Sequence, residues 1–434
     1  MDRIGIRAFL ALVLGALAGP GCHPRPTAAG SAPPPALLAT NAIVSEVDED
    51  DGEVSVELSG SDLRFEFDTA RVPGGEQLLA ALQELAKSGR TVRLQFRVEE
   101  SWLDDVDDGN HVVAVLAGVD DAGQRYAGAA DADGYRESIA RTTRHPAARQ
   151  LVRGVVLYAA DDLAAARAAL DAALADARLG RGPQALARRT RGAVLEAQAG
   201  AQAGTSMAGD RLLLAALADF RDWARIDSGS AEPRYAIAGA LQALGDYDGA
   251  LNVYEQIRRE WLDQDLRVAI RSSAVYRERG ELPQALAALD AYGAANGVPA
   301  GMPFHYHRGW TLLRLGRYAE AADELSAGLV RQPDYAWALL RRACAHAMLG
   351  ELQAALADQQ QGLELLRAHA NPGGSAIDAH NLERATRVLA TLRASPVSAA
   401  PRADPGPCAG YLPADGPPRV RSALLADDAT GSAS

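Results

Sequence analysis

The residues with the widest chemical range are few. Three cysteines stand at Cys22, Cys344 and Cys408, and eight histidines are scattered along 434 residues. Three thiols cannot form a disulfide framework or a four-ligand zinc cluster. His305 and His307 are two apart, so on a helix they point in different directions and cannot share a metal as an i, i+4 pair would. Cys344, flanked by Ala343 and Ala345 in a helical stretch, is expected to be a packed free thiol rather than a nucleophile. The carboxylate clusters Glu46 to Glu53 and Asp104 to Asp108 suggest hard-cation chemistry, which draws several oxygens from one short loop. Neither has the spacing of a calcium loop: counted from Asp104, the second ligand position falls on Val106. Solvated hairpin tips are the better reading. No phosphate-cradling glycine loop or nucleophile elbow is present, so a non-enzymatic role without metal or cofactor is expected.

Charge narrows the partners. The chain carries 44 Lys+Arg against 56 Asp+Glu, net −12, which gives no broad attraction to phosphate backbones and excludes a nucleic-acid scaffold. Lys87 is the single lysine, so nearly all positive charge is arginine. Residues 41–135 hold 22 Asp+Glu and 7 Lys+Arg, and the remainder of the chain is weakly positive. The acidity belongs to one region.

The elements around these residues fall into blocks. Arg3 and Arg7 precede a ten-residue apolar run, Ala8 to Leu17, which is too short to span a membrane and reads as an export signal over residues 1–22. The ending Gly19-Pro20-Gly21-Cys22 resembles the lipobox of bacterial lipoproteins, although Gly19 stands where that motif has a Leu-like residue. The resemblance implies lipidation of Cys22, with ordinary cleavage after Ala18 as the alternative. Residues 23–40, rich in Pro, Ala and Gly, read as a flexible tether. From 41 to 135 the pattern has period two: Val54, Val56 and Leu58, then Leu63, Phe65 and Phe67, then Val92, Leu94, Phe96 and Val98, and His111 to Ala117. Each run predicts a half-buried strand, with a helix over Gln77 to Lys87 between the runs that end at Phe67 and begin at Val92. That order resembles an OB-like barrel, with an open sheet packed by one helix as the alternative.

Beyond residue 146 the pattern turns helical and repetitive. Gly245, Gly280, Gly316 and Gly350 recur at 34 to 36 residues, each followed five residues later by Ala250, Ala285, Ala321 or Ala355. Ala238, Ser273, Gly309 and Ala343 stand seven before the turns, and Tyr254, Leu289, Leu325 and Gln359 nine after. Small residues at these offsets let paired helices approach closely. The pattern resembles the tetratricopeptide repeat. Residues 146–370 then hold about six repeats, with about 12 extra residues around Gly200 to Gly209. Residues 377–393 form a capping helix, and 395–434 a disordered tail. The fold class expected is α+β: a small β-rich domain followed by an all-α solenoid, with the repeat block folding by itself.

The resemblance implies that the first helix of each pair lines a concave groove. Carried onto the frame of the turn glycines, the family's lining positions fall on Tyr235, Arg267, Arg271, Arg277, Tyr306, Trp310, Arg314, Trp337 and Arg341. Aromatic and arginine side chains are the types enriched at binding hot spots. The expected function is an exported scaffold, lipid-anchored at the periplasmic side of the outer membrane, that binds another envelope protein through this groove. A ligand-binding or enzyme subunit with its site in the β-domain is the alternative.

Overall fold

The computed structural model describes residues 37–59, 61–88, 91–121, 124–127, 136–201, 207–260, 266–369 and 376–394. The expected signal segment with Cys22, the tether up to residue 36, the tail 395–434 and residues 202–206 of the loop expected around Gly200 to Gly209 lie outside these residues, while the rest of that loop is helical, Gly200 and Ala201 ending one helix and Met207 to Gly209 beginning the next. The chain divides into two compact units at Ser228 and Gly229.

The first unit opens with β1 (Leu37–Asp50), β2 (Glu53–Leu58), β3 (Leu63–Asp68), α1 (Gly75–Ser88), β4 (Thr91–Leu103) and β5 (Val112–Asp121). Strand β1 begins at Leu37, inside the stretch expected to be tether, because Leu37–Ile43 pairs with β4. Its second half, Val44–Asp50, pairs with β2 after an irregularity at Val44/Glu46. One bent strand thus serves two neighbours. Strand β3 pairs in parallel with β5 from Leu63↔Val112 to Glu66↔Val115, so five strands close into a barrel in the order β1-β2-β3-β5-β4. The open sheet is replaced by a closed one. A sixth strand, β6 (Gln124–Ala127), which the periodicity did not reveal, extends the second half of β5. Closure buries Val56, Phe65, Phe67, Leu94 and Phe96, together with Leu78, Leu82 and Leu85 of α1. Each such side chain contributes about 1.5–3 kcal/mol. The tip between β1 and β2 is an Asp51-Gly52 turn with both residues at positive φ, as two-residue hairpins demand.

Five helices complete this unit: α2 (Arg136–Arg144), α3 (Pro146–Ala159), α4 (Leu163–Leu174), α5 (Arg181–Ala201) and α6 (Met207–Ile226). The division expected between residues 135 and 146 is not where the packing divides. Leu151, Val155, Ala166, Leu170, Leu186 and Val194 belong to the same buried cluster as the barrel side chains. Polar contacts cross the same seam: the Leu103 N–H donates to Thr142 Oγ1 at 3.3 Å, the Thr190 hydroxyl to Asp62 at 2.8 Å, and Arg189 is ion-paired with Asp62. The carboxylates of Asp104 to Asp108 are exposed, as expected of a solvated tip. The backbone beneath them is not free, since a Cβ on Gly180 or Gly182 would overlap the carbonyl oxygens of Asp107 or Asp108. The Asp105 carboxylate accepts the N–H groups of Asp107 and Asp108, which hold its carboxyl below the usual range.

The second unit is four helix pairs and a cover. The pairs are α7 (Glu232–Leu244) with α8 (Tyr247–Glu260), α9 (Leu266–Arg279) with α10 (Leu282–Asn296), α11 (Met302–Arg314) with α12 (Tyr318–Arg331), and α13 (Ala336–Leu349) with α14 (Leu352–His369). With α3/α4 and α5/α6 they make six pairs among the described residues. The turn glycines Gly245, Gly280, Gly316 and Gly350 sit at φ of +81°, +80°, +76° and +84°, the left-handed region that glycine enters without steric cost. Ala250, Ala285, Ala321 and Ala355 are fully buried where the helices cross. A Cβ on Gly309 would come within 2.7 Å of Leu325 Cγ. The cover helix α15 spans Ala376–Arg393. Gln359 stands where other repeats place Tyr254, Leu289 or Leu325, and donates to the Ala385 carbonyl at 2.8 Å. That polar exception ties the last repeat to its cover.

Candidate functional site

Spacing three, four and seven places side chains on one face of a helix. On α13 this aligns Trp337, Arg341 and Cys344. On α11 it aligns Tyr306, Trp310 and Arg314. Each first helix lies beside the next first helix, α9 against α11 and α11 against α13, so these rows meet.

At their centre is a sandwich. The guanidinium carbon of Arg277 lies 4.5 Å from the Trp310 ring centroid, and that of Arg341 lies 4.1 Å from it. Three consecutive repeats are thus joined by one indole between two cations, a contact that strengthens as water is removed. Tyr306 stands beside it, 5.8 Å from the Trp310 ring and 5.3 Å from Tyr335. Arg277 is only 2% exposed. Its guanidinium donates to Ser273 Oγ at 3.1 Å, Thr311 Oγ1 at 3.2 Å and His307 Nδ1 at 2.9 Å. For Nδ1 to accept, that nitrogen must be unprotonated. Burial and then the Arg277 charge hold His307 well below its ordinary pKa, which keeps it in the accepting form. Arg314 donates to the Arg277 carbonyl at 2.7 Å.

The other sequence-derived positions are distributed around this centre. Trp337 is half-buried and packs against apolar clusters on both sides of α13. Arg341 is buried at 5%, while Arg271 is half-exposed on α9. Tyr235 and Arg267 form a separate contact, with the guanidinium 4.4 Å from the ring and Arg267 paired to Glu232 at 2.6 Å. The structure therefore joins Arg277, Tyr306, Trp310, Arg314 and Arg341 in one cluster, and Tyr235 with Arg267 in another. Ser273, His307, Thr311 and Tyr335 were not identified from the groove frame. Two of the missed contacts left a signal, since Ser273/Arg277 and His307/Thr311 are both i, i+4 pairs of polar residues on helices.

The opposite edge of the same helices behaves differently. Arg308 pairs with Asp290 and Glu324, and Arg342 grips Asp358 through two bonds of 2.7 Å. His305 meets Glu324 at 2.7 Å. His305 and His307 thus diverge, one to a carboxylate and one to an arginine.

Cys344 corrects the reading of a free thiol. It is 1% exposed and disulfide-bonded. The chain has only two other cysteines, Cys22 and Cys408, and both lie outside the described residues.

No family model matches the chain, and no curated protein matches it. Solved structures of repeat proteins do. The MamA fragment from residue 41 of Desulfovibrio magneticus RS-1 is 22% identical over 36% of this chain and 87% of its own, with a TM-score of 0.31. TTC0263 of Thermus thermophilus, described as a thermophilic TPR protein, is 24% identical over 41% and 91%, with a TM-score of 0.33. YrrB, described as a TPR protein with an unusual peptide-binding site, is 15% identical over 49% and 97%, with a TM-score of 0.31. The assignment of tetratricopeptide-type repeats here rests on the chain's own turn glycines, small crossing residues and paired helices.

Proposed function

We propose that this chain is a non-enzymatic scaffold that binds an extended, acidic peptide segment of a partner protein on the first-helix face of its second unit. The observation that carries the reading is the Arg277–Trp310–Arg341 sandwich. Arginine and tryptophan are the side chains most often found at interaction hot spots, and an arginine-rich face in a chain of net charge −12 selects for acidic partners. The indole N–H of Trp310 is buried and has no hydrogen-bond acceptor among the described residues. An unsatisfied buried donor costs about 1–3 kcal/mol, and a peptide carbonyl laid along the face would relieve it.

The setting we propose is the bacterial envelope, with the Cys22 thiol lipidated and the partner another envelope protein. A disulfide at Cys344 supports an oxidising compartment. Mass spectrometry finding an unmodified mature N-terminus at Gly19 would overturn the anchor. The barrel we read as OB-like, on the support of its closure order, its parallel β3–β5 pair and the helix between β3 and β4. Its acidic surface would be a second contact region.

The binding test uses the full chain and a panel of labelled acidic, proline-rich peptides. Trp310→Ala is expected to weaken the best binder by about 2 kcal/mol, roughly thirty-fold. Arg271→Glu is expected to weaken it and to flatten its salt dependence. Unchanged affinity in both variants, each with an unchanged melting temperature, would end the groove reading.

A further inference from the structure

We propose that Asn296 is a site of spontaneous deamidation, at which the Gly297 backbone nitrogen attacks the Asn296 side chain and leaves aspartate or isoaspartate at the end of α10. The site is independent of the peptide-binding reading. Asn296-Gly297 is the single Asn-Gly pair in the sequence. Glycine has no Cβ to hinder approach of its own nitrogen to the preceding side chain, so this dipeptide closes a five-membered ring more readily than other asparagine pairs.

The structure leaves that ring closure unopposed. Asn296 is the last residue of α10, and both residues are exposed. Gly297 stands at φ +81°, and a Cβ built on it would meet no atom within 4 Å. Its N–H has no acceptor among the described residues. Three further Asx-Gly pairs lie among those residues, all with aspartate: Asp51-Gly52, Asp108-Gly109 and Asp248-Gly249. In each of them the glycine N–H is engaged. Gly52 donates to Glu49 Oε1 at 3.0 Å, Gly109 to the Asp105 carbonyl at 3.0 Å and Gly249 to Asp246 Oδ1 at 2.9 Å. A nitrogen held by an acceptor must give up that bond before it can turn to the side chain, and Gly297 gives up none. The reacting amide itself is held only by a long bond, from Asn296 Nδ2 to the Tyr292 carbonyl at 3.3 Å.

The Gly297 N–H loses its proton to base, and the nitrogen bonds to Cγ of Asn296. Cγ releases its amide nitrogen as ammonia, which leaves a succinimide. Water then adds to one of the two ring carbonyls and breaks the bond from that carbon to the ring nitrogen. Opening at Cγ gives aspartate, whereas opening at the backbone carbonyl carbon gives isoaspartate, with the chain running through the side chain. One water is consumed and one ammonia released for each amide converted to a carboxylate.

The product suits its position poorly. A carboxylate cannot donate to the Tyr292 carbonyl. It adds negative charge at a helix C-terminus, and the last turn of α10 has no basic residue to offset it. Tyr292, one turn earlier, packs with its ring centroid 6.3 Å from that of Phe304 on α11, against the cluster that holds Ile270 and Leu289. Deamidation therefore loosens the seam between the second and third helix pairs of the second unit.

The test ages full-length protein in mildly alkaline and mildly acidic buffer and reads the tryptic peptide 280–308 by mass spectrometry, in which Asn296 is the single asparagine. Conversion to aspartyl and isoaspartyl forms is expected, faster in alkali and at least about ten-fold faster than at Asn110 or Asn252. Conversion no faster than at those two would overturn the site. Aged wild type is expected to melt about 1–4 °C lower than fresh protein. Asn296→Gln, whose longer side chain closes a ring slowly, is expected to keep its melting temperature through the same treatment. An unchanged melting temperature in aged protein of confirmed conversion, or an equal drop in Asn296→Gln, would overturn the effect on the seam. Fresh Asn296→Asp is expected to melt below wild type as well, and a melting temperature equal to wild type would overturn the charge argument.

Discussion

The two units of this chain use helix pairs for different ends. In the first unit, α3 packs directly on the closed barrel, and one continuous buried cluster runs from Val44 on through α4 to Val194 of α5. Its arginines close on carboxylates: Arg188 and Arg191 both reach Asp219, which is 1% exposed, and Arg191 also reaches Asp171. In the second unit, separate smaller clusters lie between successive helix pairs. Two of its arginines close on an indole instead. A helix pair with a barrel to cover spends its apolar face on that barrel. Pairs stacked only on one another bring the rows of their first helices side by side, and there the arginines meet aromatic rings.

Cutting the chain tests the comparison most severely. A fragment 146–395 leaves α3 to α5 without the barrel and exposes Leu151, Val155, Leu170 and Leu186. Circular dichroism should show those helices frayed and the fragment aggregating, whereas 229–395 should melt cooperatively. Equal stability of the two fragments would return the boundary to residue 146.

Next in size is a pair of glycine substitutions. Gly180→Ala drives a methyl group into the backbone oxygen of Asp107, a contact that no rotamer change relieves, and should cost about 3 kcal/mol. Gly280→Ala meets no atom but keeps a φ of +80°, and should cost about 1 kcal/mol. Denaturant midpoints would order them, and the reverse order would mean that the loop at Asp104 to Asp108 yields more readily than the repeat turn.

Asp161 sharpens the contrast at a smaller scale. It occupies the turn between α3 and α4 at φ +62°, seven residues past Gly154, where the second unit has glycines. Burial, and then neighbouring Asp162, raise its pKa to about 6. Asp161→Gly should therefore stabilise the first unit at pH 7 by about 1 kcal/mol, after discounting for a group only half-buried.

Asp161 and His307 set opposite responses to acid. An acid with a raised folded pKa favours the folded state when protonated, so wild type should gain stability as pH falls from 6 towards 4. His307 acts in the other direction. Its folded pKa is depressed by burial and by Arg277, so the second unit should lose stability as pH falls below about 6.5, where the unfolded histidine takes up a proton. Melting curves of the two units across this range should slope in opposite senses, and His307→Asn should remove the acid sensitivity of the second. Parallel slopes would contradict both environments.

Local rules made much of this molecule legible. The alternation of Val54 to Phe67 set which faces those strands bury, because pleat geometry allows no other assignment. Gly245, Gly280, Gly316 and Gly350 marked the turns, because a left-handed residue is needed there and glycine supplies it most easily. The cover helix was placed within one residue by its pattern and by the need to shield a last repeat. The arginine and aromatic row was also visible as a set of positions.

Tertiary structure decided what those positions do. Whether the strands close depended on pairing Leu63–Glu66 with Val112–Val115, a contact between segments nearly fifty residues apart that no local periodicity encodes. That the core of α3 to α5 is continuous with the barrel's followed from the same closure, which turns apolar surface towards α3. Arg277 and Arg341 became a stack around Trp310 because three helices lie side by side, while Arg342, one residue on, turned to Asp358. The spacing of residues along one helix fixes its faces, but only packing fixes which neighbour each face meets, and the chemistry of this surface is a property of neighbours.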